Sequence, residues 1–388
     1  MAVDSTAELR DLPPVQVVKR EPFRFQGMTR ELVQQWSEAI PSTDKTDIRR
    51  PEWRPTPLKP LDLENEHYGH LWIKDESDPE SNPTGTIKDR AAHELITLHR
   101  DNARVLDIRV MTKEIDVGEL SRYKVPVLSI ITAGNEGLAI ARGFAKYNLP
   151  PPNLILDTKT QSNVIDQLKQ ERASVFLVDL SNRELTAQDI LKLSDNRDGI
   201  DWTSNSSFEP QSILYDWHVH EVLNELPDEI YVPYGTGRLD ENYLHWQMKS
   251  ARSAGSGKRD PRLRVEGAKV AGINVFAGEP ENPDSVADKL VAKFKPFLLF
   301  RDSDITGLKR LGFSGKDSSV GKVSEEYIKH AHQLLKKRGI AAEPSAAAGL
   351  ALYMQRWDQG LANPRNKVIV VNTGKGLYEE QEAIEAAA

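Results

Sequence analysis

An α/β fold built on open parallel sheets with helices on both faces is the architecture this sequence predicts, and three observations carry the prediction. Short apolar runs of strand length alternate with longer segments whose apolar residues recur at three- and four-residue spacing. Strands separated by helices of that length pair in parallel through crossovers. Polar or glycine-rich turns follow several of the strands, at the end of the sheet where open α/β folds bind ligands.

The elements follow in order. Residues 1 to about 60 are rich in proline and charge, with Pro13, Pro14, Pro41, Pro51, Pro55, Pro57 and Pro60 interrupting regular structure. They read as an arm wrapped on something larger, with Trp36 and Trp53 docked because a large aromatic surface is costly to leave in water. Residues 71–73 form a short strand candidate, and 89–99 a helix with Ala91, Leu95 and Leu98 on one face. A buried strand is expected over 125–131, then a helical stripe of Leu138, Ala141 and Ala145. Strands at 153–156 and 174–178 bracket a helix at 163–171. A strand at 229–232 precedes a helix at 239–248 and a strand at 263–265, and the last strand covers 368–371. The best-signalled helix spans 324–338: Ser324 is its N-cap, Lys336, Lys337 and Arg338 fill its last turn, and Gly339 follows. Residues 250–262, rich in Ser, Ala and Gly, read as a flexible connection whose basic residues face solvent.

A length of 388 residues leaves room for two or three domains. Cysteine is absent, which excludes disulfides, thiolate metal sites and a cysteine nucleophile. The formal charge of −7 argues against nucleic acid or an anionic membrane as the main partner. The first residues lack a basic and an apolar region, and no apolar stretch reaches 18 residues, so a soluble cytoplasmic protein is expected. His218 and His220, like His330 and His332, are spaced i, i+2 and point apart on a helix, while His67 and His70 imply no third ligand. No metal site is expected.

Four turns draw attention. In residues 81–90, Lys88 opens a helix, where the dipole disfavours a cation. Alone it reads as a surface lysine; a neutral or imine-bound amine would escape the penalty. Thr132, Ala133, Gly134, Asn135, Glu136 and Gly137 link a strand to a helix, a ready site for a carboxylate. Gly235, Thr236 and Gly237 make another strand-to-helix turn that suits a phosphate, and a dinucleotide fingerprint is broken there by Asp240. Thr373 to Gly376 closes the last strand and places a hydroxyl at the sheet's end.

The first turn carries a resemblance. Asn82-Pro83-Thr84-Gly85, followed by Lys88-Asp89-Arg90, resembles the signature of the fold-type II pyridoxal-phosphate enzymes, especially the threonine synthase-like branch. Thr56-Pro57-Leu58, residues 73–76, 132–137, 232–237, 343–348 and 373–377 resemble further motifs of that family in the same chain order, so the likeness covers 54–377.

The resemblance implies a two-domain, tryptophan synthase β-like fold. Its parts here would be an N-terminal arm at 1–53, a large cofactor-binding domain at 54–85 and 191–388, and a small inserted domain at 86–190. It implies pyridoxal 5′-phosphate as cofactor, with Lys88 forming the internal aldimine and shuttling the α-proton. Gly235, Thr236 and Gly237 would hold the phosphate, Asn135 the ring oxygen and Thr373 the pyridine nitrogen. The 132–137 turn, with Thr132, Ala133, Gly134, Asn135 and Glu136, would take the carboxylate of a small amino-acid substrate. A hydroxyl at the ring nitrogen suits β- or γ-elimination and replacement. The implied activity is a threonine synthase-like lyase or replacement enzyme, working as a homodimer; a dehydratase or cysteine synthase-like enzyme and a non-catalytic scaffold are the alternatives.

Three residues depart from the family pattern. Arg238 replaces the third glycine of the phosphate loop, adding a charge to the phosphate or reshaping the loop. Glu136 adds a carboxylate that must face an amine or act as acid or base. Lys375 stands where threonine synthases often have histidine. Ser345 reads equally as a ring contact or a helix cap, and residues 205–209 as a surface loop or a pocket wall.

Overall fold

The computed structural model describes residues 12–23, 27–39, 54–181, 185–203, 214–255, 267–291, 315 and 317–377. Its strands are β1 (Val15–Lys19), β2 (Leu58–Leu63), β3 (Gly69–Asp75), β4 (Leu128–Ile131), β5 (Asn153–Asp157), β6 (Ser174–Val178), β7 (Ile200–Asp201), β8 (Glu229–Pro233), β9 (Asn274–Pro280), β10 (Ser319–Val323) and β11 (Val368–Asn372). Its α-helices are α1 (Arg30–Ala39), α2 (Lys88–Met111), α3 (Asn135–Lys146), α4 (Ser162–Gln170), α5 (Ala187–Leu193), α6 (Asp216–Leu223), α7 (Arg238–Gly255), α8 (Gly267–Ala271), α9 (Glu325–Lys337) and α10 (Ala348–Asp358).

Two sheets result. The larger runs β10-β9-β8-β11-β3-β2, and every pairing is parallel except β2 with β3. The smaller runs β1-β6-β5-β4-β7, parallel except for β1 on β6. Both faces of the larger sheet are buried. Ile230, Val232, Ile369 and Val371 pack into one core cluster, whereas Tyr231, Phe276, Val368 and Val370 pack into the other against α9 and α10. A period of two along strands apolar on both faces is what a helix-covered parallel sheet requires.

Several boundaries differ from expectation for local reasons. The strand expected from residue 125 starts at Leu128, because Pro126 has no N–H to give a ladder. The helix expected to end at 99 continues to Met111, with neither glycine nor proline to stop it. The helix expected over 239–248 runs on to Gly255, so the first part of the expected flexible connection is helical and Ser250 is buried. The two antiparallel edge strands, β1 and β2, were not foreseen. The expected strand at 263–265 lies outside the described residues, as do Trp53 and residues 205–209.

The N-terminal arm is docked on the smaller sheet. Its β1 pairs with β6, and α1 packs on α2 with Val33 and Trp36 buried. Beyond residue 190, β7 pairs with β4, so the smaller sheet spans Val15 to Asp201. Among the described residues no helix is long and apolar enough to cross a membrane.

Candidate active site

Four of the five turns that build the site leave the carboxyl ends of β3, β4, β8 and β11, and the fifth precedes α10. The Lys88 turn is rigid before any ligand is considered. The Asn82 amide donates to the Glu76 carbonyl and to its Oε2, at 2.7 and 2.8 Å. Asp89 Oδ2 accepts from Thr84 N and Oγ1, at 2.8 and 2.7 Å. Burial outweighs these bonds and pushes the Asp89 carboxyl up to about 6.

The Thr373 turn is laced to the Lys88 turn. Ile87 N donates to Thr373 O at 2.9 Å, Lys375 N donates to Gly85 O at 3.0 Å, and Thr86 bridges Gly374. Gly374 has φ +120, and a Cβ there would collide with the Gly85 carbonyl. Only glycine permits this approach.

Under the turn lies a buried charge network. Arg90 pairs with Glu76 at 2.7 Å and with Glu221 at 2.8 Å, and Lys74 reaches Glu221 at 2.6 Å. His218 Nδ1 lies 2.7 Å from Glu76, and its Nε2 lies 2.8 Å from the Tyr243 hydroxyl. Burial pushes Glu76 up, but Arg90, His218 and Lys74 outweigh it and hold the carboxyl well below the ordinary range. Burial pulls His218 down, keeping the imidazole neutral. Two cations then balance two carboxylates, and the network fixes the first turn of α2.

Lys88, the first residue of α2, is partly exposed. Its Nζ donates to Glu136 Oε2 at 3.2 Å and to the Tyr215 hydroxyl at 3.0 Å. Burial pulls the amine's pKa down, but Glu136 and Tyr215 outweigh that effect and hold it above the ordinary lysine value. Arg238, the first residue of α7, reaches across to Glu136 Oε1 at 2.9 Å. Burial pushes Glu136 up, yet Lys88 and Arg238 outweigh it and bring the carboxyl down to about 2. The Arg238 guanidinium, one of the three departures from the family pattern, is therefore directed at Glu136, a second of them.

The two strand-to-helix turns present donors. Thr132 Oγ1 accepts from the Gly134 and Gly137 N–H groups, both at 3.1 Å, which leaves the Ala133, Asn135 and Glu136 N–H groups without a partner among the described residues. The Gly235, Thr236 and Gly237 N–H groups likewise have none there, and Gly237 takes φ +86. Each set of amides stands at the N-terminus of a helix, α3 or α7, where an anion is favoured. The Asn135 amide is held from both ends: Nδ2 donates to Glu343 Oε1 at 3.2 Å, and Oδ1 accepts from Lys289 Nζ at 3.2 Å. Lys289 also pairs with Glu343. A lysine amine, two open amide cradles and a hydroxyl-bearing turn, brought together at the carboxyl ends of the strands, fit an aldehyde cofactor with a phosphate arm.

The family model of the pyridoxal-phosphate dependent enzymes matches residues 49–374. The chain belongs to this family. Pyridoxal 5′-phosphate is its cofactor, and its fold is that of the fold-type II members. Threonine synthase of Halalkalibacterium halodurans is 23% identical over 361 residues, 92% of this chain and 91% of that one. Among solved structures, O-ureido-L-serine synthase superposes with a TM-score of 0.57 at 16% identity, covering 87% of this chain and 94% of that one. Maize serine racemase gives 0.55 at 14% identity, covering 94% and 100%.

In this pyridoxal-phosphate dependent enzyme, the structure brings Lys88, Glu136 and Arg238 into one bonded chain, ties Asn135 to Glu343 and Lys289, and joins the Thr373 turn to the Lys88 turn. Three participants escaped the sequence reading. Tyr215 gives no local signal, because it meets Lys88 across 127 residues of chain. Lys289 and Glu343 orient Asn135, and of these only Glu343 stood in a motif. Ser345 is buried and its hydroxyl caps no helix, since α10 begins at Ala348.

Proposed function

We propose that this enzyme carries out β- or γ-elimination or replacement on a small amino acid bearing a leaving group, in the manner of its threonine synthase relatives. Bound pyridoxal phosphate supplies the electron sink for breaking a bond at the substrate's α-carbon. The chain supplies the rest. The Lys88 amine holds the cofactor and then moves the α-proton. The amides of 235–237 take the phosphate, and the open amides of the 132–137 turn take the substrate carboxylate. Asn135, fixed by Glu343 and Lys289, orients the ring, and the Thr373 hydroxyl serves its nitrogen.

The observation that carries this reading is the Lys88 amine, bonded to Glu136 and Tyr215 on a turn locked to Thr373. An amine so held is aimed for proton transfer at one carbon. The discriminating experiment offers the yellow holoenzyme amino acids with phosphate, acetyl or hydroxyl leaving groups. Phosphate release from O-phosphohomoserine with threonine as product is the expected result. Keto-acid release from serine or threonine makes the enzyme a dehydratase, and product from O-acetylserine and sulfide makes it a β-replacement enzyme. Absence of turnover with every member of the panel leaves a scaffold. The enzyme is further proposed to act as a cytoplasmic homodimer, which sizing chromatography tests.

A further inference from the structure

We infer that Tyr215 is a further catalytic residue, the group that keeps the Lys88 amine aimed in both of its protonation states. The inference rests on the proposed function, in which Lys88 moves a proton. A proton-moving amine must be held both as an ammonium, which only donates, and as a free amine, whose lone pair needs a donor. Glu136 meets only the first need, because a carboxylate brought down to about 2 can only accept. A phenol does both. Its oxygen accepts from the ammonium, and its O–H donates to the amine across the same 3.0 Å. No proton ends on Tyr215. When Lys88 gains the substrate's proton the hydrogen bond reverses direction, and when Lys88 gives it up the bond reverses again.

The placement of Tyr215 is built, not incidental. The residue is buried at the start of α6, and its N–H donates to Asn242 Oδ1 at 3.0 Å. Asn242 Nδ2 donates to Asp216 Oδ1 at 2.9 Å, and Trp246 Nε1 donates to the same oxygen at 2.7 Å. Positions 238, 242 and 246 of α7 lie one turn apart on one face. That face holds both partners of Lys88: Arg238 bonds Glu136 and Asn242 bonds Tyr215. The helix that follows the phosphate cradle thus also sets the proton-handling groups, with Glu136, Tyr215 and Arg238 facing the amine.

Tyr215→Phe removes the hydroxyl and keeps the ring. Two readouts decide. In the cofactor-free protein, capture of added pyridoxal phosphate at pH 8, followed by absorbance, is expected to quicken roughly tenfold, because of the two bonds Tyr215 makes the charge-assisted one to the ammonium is the stronger, and losing both favours the free amine. In the holoenzyme, kcat is expected to fall about tenfold or more with KM changed less than about threefold. A merely structural role would not make capture faster. Either readout within twofold of wild type overturns the inference. Should Tyr215→Phe not fold, Asn242→Ala, which frees the Tyr215 main chain without touching Lys88, is expected to move both readouts in the same directions, and an unchanged pair overturns the inference. Wild-type protein that captures no cofactor, or turns over no substrate, instead defeats the proposed function.

Discussion

Glu136→Gln gives the most informative perturbation of the site. Glu136 Oε2 lies 3.2 Å from Lys88 Nζ. Two unit charges at that separation interact by about 5 kcal/mol at an effective dielectric of 20, equivalent to roughly 4 pH units on the lysine. The Lys88 side chain is 26% exposed, so solvent screening brings the expected fall in its pKa to about 2 units. Arg238 acts in the same direction, because its guanidinium then faces Lys88 without the carboxylate between them. At pH 8, well below the wild-type value, the neutral fraction of Lys88 and with it the rate of cofactor capture should rise about a hundredfold. Stopped-flow mixing of cofactor-free protein with pyridoxal phosphate measures this. The double variant Glu136→Gln, Arg238→Met removes both charges and should retain part of the increase. A capture rate that is unchanged or slower in Glu136→Gln refutes the assignment of Glu136 as the group that sets the charge of Lys88.

Other expectations follow from the same contacts. Arg90→Met leaves Glu76 and Glu221 buried without their main partner and should cost about 3–5 kcal/mol in urea unfolding; a loss below about 1 kcal/mol would show that the network is dispensable. Gly374→Ala places a Cβ against the Gly85 carbonyl and should cut cofactor affinity at least about tenfold while far-ultraviolet circular dichroism stays the same. His99 sits between Trp36 and Phe144, and burial pulls its pKa down to about 4. Its contribution is therefore intact above its ordinary value of 6.5 and is lost as pH falls toward 4, by roughly 3 kcal/mol. His99→Leu should gain on wild type by that amount between pH 7.5 and 4.5, and parallel stability curves would count against it.

Much of the fold was legible because periodicity is local. Residues 174–178 and 229–232 read as strands from a short apolar run, and the helix ending at Lys337 from its apolar stripe, its basic last turn and the following Gly339. The edge strands were hidden for an opposite reason. β1 and β2 are half exposed, and Pro60 stands inside β2, so their pattern resembles an arm. The small sheet's β7 has two residues, too few for any period.

The site divides in the same way. Sequence by itself singled out Lys88, the glycine turn at 235–237, the 132–137 turn and Thr373 as candidates, since a tight turn, an open amide or a helix start is a property of neighbouring residues. Tertiary structure alone decided that Arg238 answers Glu136, that Tyr215 meets Lys88, and that Lys289 and Glu343 hold Asn135. Those contacts join residues 102 to 208 positions apart. They depend on two sheets bringing the turns at the ends of their strands into contact, where charge and hydrogen-bonding capacity are matched through space and leave no mark on local pattern.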